Sequence, residues 1–330
     1  MKAAVCRKFG GPEVVRIEAV PKPSPQDDEV LVKVFASTVS IADHRMRSRD
    51  LPKGLWFFGP LALGMFRPRK KVLGMDIAGV VEAVGKDVTK FKAGDEVMAL
   101  LGHKFGGHAE YRCVPADGTI VLKPRNMDFE EAVTLIFGGH TALRFLRRAK
   151  LKPGSEVLVN GASGAVGTAA VQIAKHFGAV VTGVCSTGNR DLVISLGADR
   201  VIDYATEDFA KNGKTYDAIV DCVGNAPFER VEGSIKPGGA LLLVISDLKG
   251  MWGARGNSRR SGKLVTWSDS KPLAEELSFL VELAETGNFR AVIDRTYELD
   301  EIVAAHRYVD TGRKRGNVVV RVATEQGLTA

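Results

Sequence analysis

The chain has 330 residues, 45% hydrophobic and 26% charged, with a formal net charge of +7. That length and composition exclude a disordered or low-complexity chain and predict a globular protein of two domains. Its four cysteines, Cys6, Cys113, Cys185 and Cys222, are widely spaced with no Cys-x-x-Cys pair, which argues against a disulfide framework or a cysteine-based zinc site.

In chain order, the N-terminus carries no charged-then-apolar signal pattern and leads directly into strand-like sequence. Short β-branched runs at 14–18, 30–36, 77–84, 96–100 and 109–114, bounded by Gly, Pro and Asp, make the first third β-rich. The apolar stretch 55–66 is too short and too broken to span a bilayer, so no integral membrane segment and a cytoplasmic location are expected. It reads as a lid over a substrate, as a membrane-surface or dimer contact, or as ordinary core. The breaks at Gly59-Pro60 and Gly64 favour a loop, and we take it as the lid, with Trp56 and Phe57 on the substrate side.

After Pro124 the texture changes. Residues 130–137 and 141–149 read as helices, and Lys152-Pro153-Gly154 as a turn. Strands at 156–159, 180–185, 200–203, 217–222, 240–245 and 263–266 then alternate with helices that include 167–177 and 190–196. Between the first strand and helix lies Gly161-Ala162-Ser163-Gly164-Ala165-Val166-Gly167. Its glycine spacing, between strand and helix, is that of a dinucleotide-binding turn: Gly161 for the tight turn, Gly164 for close approach to a pyrophosphate, Gly167 for helix–strand packing.

An amphipathic helix is predicted at 273–286, then a strand at 293–299, a helix at 300–309 and a strand at 318–322. The tail is read as rejoining the N-terminal β domain. The expected architecture is therefore α/β: a six-stranded, doubly wound parallel domain over 126–284, inserted in a β-rich domain of residues 1–125 plus 285–330. Basic clusters at 67–71, 255–263 and 313–315 read first as solvated surface, and no aromatic-basic array points to nucleic acid.

The second strand of the parallel sheet ends Cys185-Ser186-Thr187-Gly188-Asn189-Arg190, with no acid where NAD-binding domains hold the ribose 2′-hydroxyl. Hydroxyls and a guanidinium suit a 2′-phosphate, so Ser186, Thr187 and Arg190 favour NADPH over NADH. The plain alternative is that Ser186 and Thr187 only cap a helix and Arg190 is solvated.

Together with the glycine turn, Gly10-Gly11-Pro12-Glu13-Val14, Leu73-Gly74-Met75-Asp76, Ala93-Gly94-Asp95-Glu96-Val97 and Leu196-Gly197-Ala198-Asp199 carry a resemblance. The chain resembles the zinc-free, quinone oxidoreductase-like branch of the medium-chain dehydrogenase/reductase superfamily along nearly its whole length. The resemblance implies a β-rich catalytic domain of chaperonin-10-like fold and homodimers formed through the nucleotide-domain sheets. It also implies that Thr141 lies near the nicotinamide and Tyr204 near the adenosine phosphate. Val223, Gly224, Ile245 and Ser246 would line the cofactor cleft, and Asn317 would approach it from the other domain. Many relatives carry a basic residue at the position of Gly188, so Arg190 would have to replace it.

Zinc-containing relatives place a Cys in the segment matching 39–43 and a His at the position of Met75. Here Ser40 and Ile41 stand in the first place, and methionine is a poor ligand for catalytic zinc. A site built from Asp43, His44 and Asp76 is the residual metal possibility, and no metal is expected. Without a Lewis acid, hydride transfer favours a conjugated, electron-poor small-molecule acceptor. The expected activity is NADPH-dependent reduction of a quinone or an α,β-unsaturated carbonyl. A metal-free alcohol or aldehyde dehydrogenase and a non-catalytic NADPH-binding scaffold are the alternatives. Asp43 and His140 are the candidate proton donors, and Ser40 with Asp43 the substrate-side polar groups.

Overall fold

The computed structural model describes residues 1–57, 59–267 and 273–323. Two compact units divide them, one holding 1–51, 56–137 and 273–323, the other 52–55 and 138–267.

The second unit is built on a six-stranded parallel sheet. Its spatial order is Arg200–Asp203, Val180–Cys185, Glu156–Asn160, Tyr216–Asp221, Ile235–Leu243, Leu264–Thr266. In chain order this is 3-2-1-4-5-6, the doubly wound arrangement. The central strands are continuous apolar runs because helices cover both faces, and Val157, Leu158, Val159, Ile219 and Val220 are fully buried. Strand order reverses between Glu156–Asn160 and Tyr216–Asp221, and a ligand crevice belongs beyond the carboxyl ends of that pair. The helix Leu248–Ser261 had no counterpart in the sequence reading. Only Ala254 of it is buried, and its signals are caps: Asp247 accepts from the Gly250 amide at 2.7 Å, and Gly262 closes it at φ 68°.

In the first unit the strands run Ile293–Glu298, Asn317–Arg321, Glu29–Val39, Asp76–Val84, Glu96–Leu100, Ile120–Leu122, with Tyr111–Pro115 also pairing Glu29–Val39. Alternate residues point inward, so Val30, Val32, Val34, Ile77, Val81, Val97, Val318 and Val320 share one core. The C-terminal strand Asn317–Arg321 pairs antiparallel with Glu29–Val39, Val318 opposite Val39, so the tail does rejoin the N-terminal sheet. A hairpin of Lys2–Cys6 and Val15–Ala19 forms its own two-stranded sheet, its second strand preceded by a 3-10 turn at Pro12–Val14, while Ala4, Cys6 and Val15 join the same core.

Both ends of the nucleotide unit differ from the expected 126–284, and residues 126–137 lie in the first unit. The helix Ala274–Glu285, assigned from sequence to the nucleotide domain, belongs to the first unit. Its apolar face, Leu277, Leu280 and Leu283, is buried. Its C-terminal end binds the chain at 125–126, with Asn126 Nδ2 donating to the Ala284 carbonyl at 3.0 Å and the Arg125 amide to Glu285 at 3.0 Å. The stretch 55–66 becomes a 3-10 turn, Leu55–Phe57, and a short helix, Gly59–Leu63, with Phe58 and the Phe57 side chain outside the described residues. Trp56, Leu61, Met65 and Phe66 are exposed, which removes the core reading for them. No helix among the described residues is long and apolar enough to cross a membrane.

Candidate active site

Each glycine of the turn has a separate physical role. Gly161 has φ +82°, and a Cβ there would lie 2.8 Å from Val223 Cγ2. Gly164 is the N-cap of the helix Ala165–His176, with no side-chain cap, and a Cβ there would meet nothing nearer than 3.6 Å. A Cβ on Gly167 would stand 2.0 Å from the Gly161 carbonyl, so the helix packs on its own turn only because this residue is glycine. The open cap leaves the first-turn amides of Ala165, Val166 and Gly167 without intrahelical acceptors, a fit for a pyrophosphate. Val166 and Gly167 are buried and offer backbone rather than side chain.

The helix Ile136–Ala149 runs through Gly138 and Gly139 without a break and abuts this turn: a Cβ on Gly138 would be 2.5 Å from the Ala165 carbonyl. Thr141, half-buried and three residues on, shares that helix face, while its neighbour His140 is buried. Strand-end loops extend the rim. Gly224, at φ +87°, leaves room for Ile245, whose Cγ2 would be 3.0 Å from an added Cβ. Ser246 is buried and donates to the Asp247 carbonyl at 3.2 Å.

Asp221, absent from the sequence reading, organises this rim. Its fully buried carboxylate accepts from Asn160 Nδ2 at 2.8 Å and from the amides of Val223, Gly224 and Ala226 at 3.0 Å each. The sequence signal was an Asp at a strand end followed by Gly-Asn, a side chain able to cap the amides after it. Burial and Asp221 push the Cys222 thiol well up, and burial chiefly raises Cys185, so neither is a thiolate nucleophile.

At the end of the second strand, Ser186 makes no capping hydrogen bond, contrary to the plain alternative. Asn189 Nδ2 donates to Ser163 Oγ at 3.1 Å, tying this segment to the glycine turn. Thr187 is engaged by a residue the sequence reading missed: Asp203 accepts from its amide at 3.1 Å and from its hydroxyl. These bonds hold the Asp203 carboxyl below its ordinary range. A carboxylate therefore reaches the second strand's end from the third, where strand pairing sets Asp203 beside Cys185. Arg190 is exposed, its Nη1 3.4 Å from the Val201 carbonyl, and Tyr204 is 67% exposed.

In the first unit, Ser40 and Asp43 start the helix Ile41–Ser48. Asp43 is fully buried; its Oδ2 accepts from the Ser40 amide at 2.8 Å and hydroxyl at 2.7 Å, and its Oδ1 from the Gly74 amide at 2.7 Å. Three donors thus hold this carboxylate in place at the helix start. His44 binds Asp310 at 2.7 Å and Asp50 at 3.3 Å. Asp76 accepts from the Thr38 amide at 2.9 Å and from its hydroxyl, and burial lifts it to about 7. Asp43, His44 and Asp76 thus face different partners, and among the described residues no three His, Cys, Asp or Glu gather as a metal site. Half-buried Met75 packs on the apolar core. Asn317, buried at the start of its strand, donates from Nδ2 to the Val292 carbonyl at 3.2 Å.

A 3-2-1-4-5-6 parallel sheet with an open glycine turn defines a dinucleotide-binding oxidoreductase domain, here joined to a separate β-rich domain. Comparison with known proteins places it further. Residues 26–125 match the family described as alcohol dehydrogenase GroES-like domain, and 196–320 that described as zinc-binding dehydrogenase. A 2-methylene-furan-3-one reductase of Solanum lycopersicum is 33% identical across 97% of this chain and 79% of its own. The chloroplastic NADPH-dependent alkenal/one oxidoreductase of Arabidopsis thaliana is 31% identical across 97% of this chain and 79% of its own. The structure of the quinone oxidoreductase from Coxiella burnetii superposes with a TM-score of 0.86 at 30% identity, covering 98% of this chain and 99% of that one. The chain belongs to the quinone oxidoreductase-like proteins of the medium-chain dehydrogenase/reductase superfamily.

Proposed function

We propose that the protein transfers hydride from NADPH to a small conjugated acceptor, a quinone or an α,β-unsaturated carbonyl, without zinc. The observation that carries the metal-free part is the donor set. Ser40, Ile41 and Met75 stand where zinc relatives place ligands, and the carboxylates nearby in sequence, Asp43 and Asp76, are bound to amides and hydroxyls. Conjugated acceptors suit such a protein because charge delocalises as hydride arrives, and less polarisation is required. The names of the relatives, an enone reductase and a quinone oxidoreductase, support the same class.

Bound NADPH supplies the hydride. The chain's share is positioning. The amides after Gly164 bind the pyrophosphate, Asp221 holds the Val223–Gly224 backbone in place, and Thr141 borders the nicotinamide. Ser186 and Arg190 serve the 2′-phosphate, with Tyr204 beside the adenosine. Asp203 is the observation that favours NADH instead, since a carboxylate at this strand end repels a phosphate. A homodimer through the nucleotide-domain sheets, as the resemblance implies, completes the reading.

The test is reduced-nicotinamide oxidation with NADPH and NADH against a quinone, an enone and a saturated ketone, with and without chelator. Turnover of the quinone or enone, insensitive to chelator, is expected. Turnover restricted to the saturated ketone, or lost on chelation, would contradict the proposal.

A further inference from the structure

Residues 51–75 contain five basic residues, Lys53, Arg67, Arg69, Lys70 and Lys71, and no Asp or Glu. Within them a tight loop carries large apolar side chains at its tip. Leu63 is buried, its carbonyl accepts the Arg69 amide at 2.9 Å, and the loop between projects Met65 and Phe66, 63% and 84% exposed. The loop is built rather than slack. Gly64 has φ +117°, and a Cβ there would lie 2.1 Å from the Arg67 carbonyl, so this turn requires glycine. Arg49 donates from Nη2 to the Gly64 carbonyl at 2.9 Å while its guanidinium lies 4.4 Å from the Phe9 ring centroid. Leu61, on the preceding helix, is 73% exposed. Following the tip in sequence, Arg67, Arg69, Lys70 and Lys71 are exposed; none is within ion-pair distance of a described acid, and Lys71 acts on Glu18 only through space. Water alone does not account for an apolar tip held out by a glycine turn with four cations at its base.

We propose that this loop attaches the protein to an anionic lipid surface, with Leu61, Met65 and Phe66 entering the headgroup–acyl boundary and the four cations meeting lipid phosphates. Apolar side chains flanked by clustered Lys and Arg are complementary to such a surface, and two weak signals together hold a peripheral protein. The inference is independent of the hydride-transfer reading, because vesicle binding requires no turnover.

The test is sedimentation of the full chain with vesicles of phosphatidylcholine alone and with about one third phosphatidylglycerol, at low and raised salt. Binding to the anionic vesicles, falling with salt, is expected. In R67Q/R69Q/K70Q/K71Q the partition coefficient should drop about five-fold per charge removed, and in M65S/F66S by about ten-fold or more. Far-ultraviolet circular dichroism and a melting temperature like those of the wild type show that both variants fold. Equal binding of the wild type to both vesicle types overturns the proposal without recourse to variants. So does wild-type binding in M65S/F66S, which reduces the effect to unspecific charge adsorption. If M65S/F66S instead dissociates a dimer in analytical ultracentrifugation and binds vesicles like wild type, the loop is a contact between copies and the proposal fails.

Discussion

Asp221→Ala should unmake the rim of the nucleotide unit. Four donors converge on that carboxylate: Asn160 Nδ2 and the amides of Val223, Gly224 and Ala226. They do not count equally. Val223 is 49% exposed and Gly224 is also exposed, so water can replace part of what their amides lose. Asn160 and Ala226 are buried, and each donor left unsatisfied there costs about 1–3 kcal/mol. The expected loss is about 2–5 kcal/mol, or roughly a 10 °C fall in Tm at about 2–4 °C per kcal/mol for a unit of this size. Cofactor binding should weaken with it, because the same amides set the loop that packs on Gly161. Urea denaturation and fluorescence titration with NADPH measure the two effects. A stability loss below about 1 kcal/mol with unchanged NADPH affinity would remove Asp221 as the organiser of the rim, since surface-like substitutions lie within that range.

Gly167→Ala places a Cβ against the Gly161 carbonyl and should abolish dinucleotide binding or destabilise the unit, read by the same titration and melt. Arg190→Ala should raise the apparent Kd for NADPH far more than for NADH, whereas Asp203→Asn, which keeps an acceptor for Thr187 but removes the charge, should improve NADPH binding several-fold. Equal changes for both cofactors in the two variants would remove these residues from cofactor selection. For Asp76, burial lifts the carboxyl to about 7, so the folded chain keeps a proton that the unfolded chain, at about 4, releases. Asp76 should therefore contribute a loss of stability as pH rises from about 4 to about 7, with a limiting slope of about 1.4 kcal/mol per pH unit, against which buried His306, held well below its ordinary range, contributes a slope of opposite sign. Asp76→Asn should lose the Asp76 contribution in denaturant titrations across the same range.

The parallel sheet was legible because its strands are continuous apolar runs punctuated by glycine turns, and Arg200–Asp203, four residues long, was read to the residue. The positive φ of Gly161 and the close packing of Gly167 on the Gly161 carbonyl were legible for the same local reason: both lie within the motif. What escaped the sequence is long-range in the chain. Asp203 matters because strand pairing brings it beside Cys185, and no spacing rule places a third-strand acid at the second strand's end. Asp43 was read as a possible proton donor because sequence shows a carboxylate but not the Gly74 amide that occupies it, 31 positions away. The helix Leu248–Ser261 escaped because one buried residue leaves no apolar period. Ala274–Glu285 was recognised as amphipathic, yet its apolar face could not say which core it joins.

The central claim is hydride transfer from a bound reduced nicotinamide to a conjugated acceptor without metal. Its most direct measurement is single-turnover oxidation of NADPH deuterated at the transferred position, using metal-depleted protein and an enone. Deuterium on the β-carbon of the product, at a rate unaffected by added zinc, is expected. Product without deuterium, or turnover that appears only when zinc is restored, would contradict it.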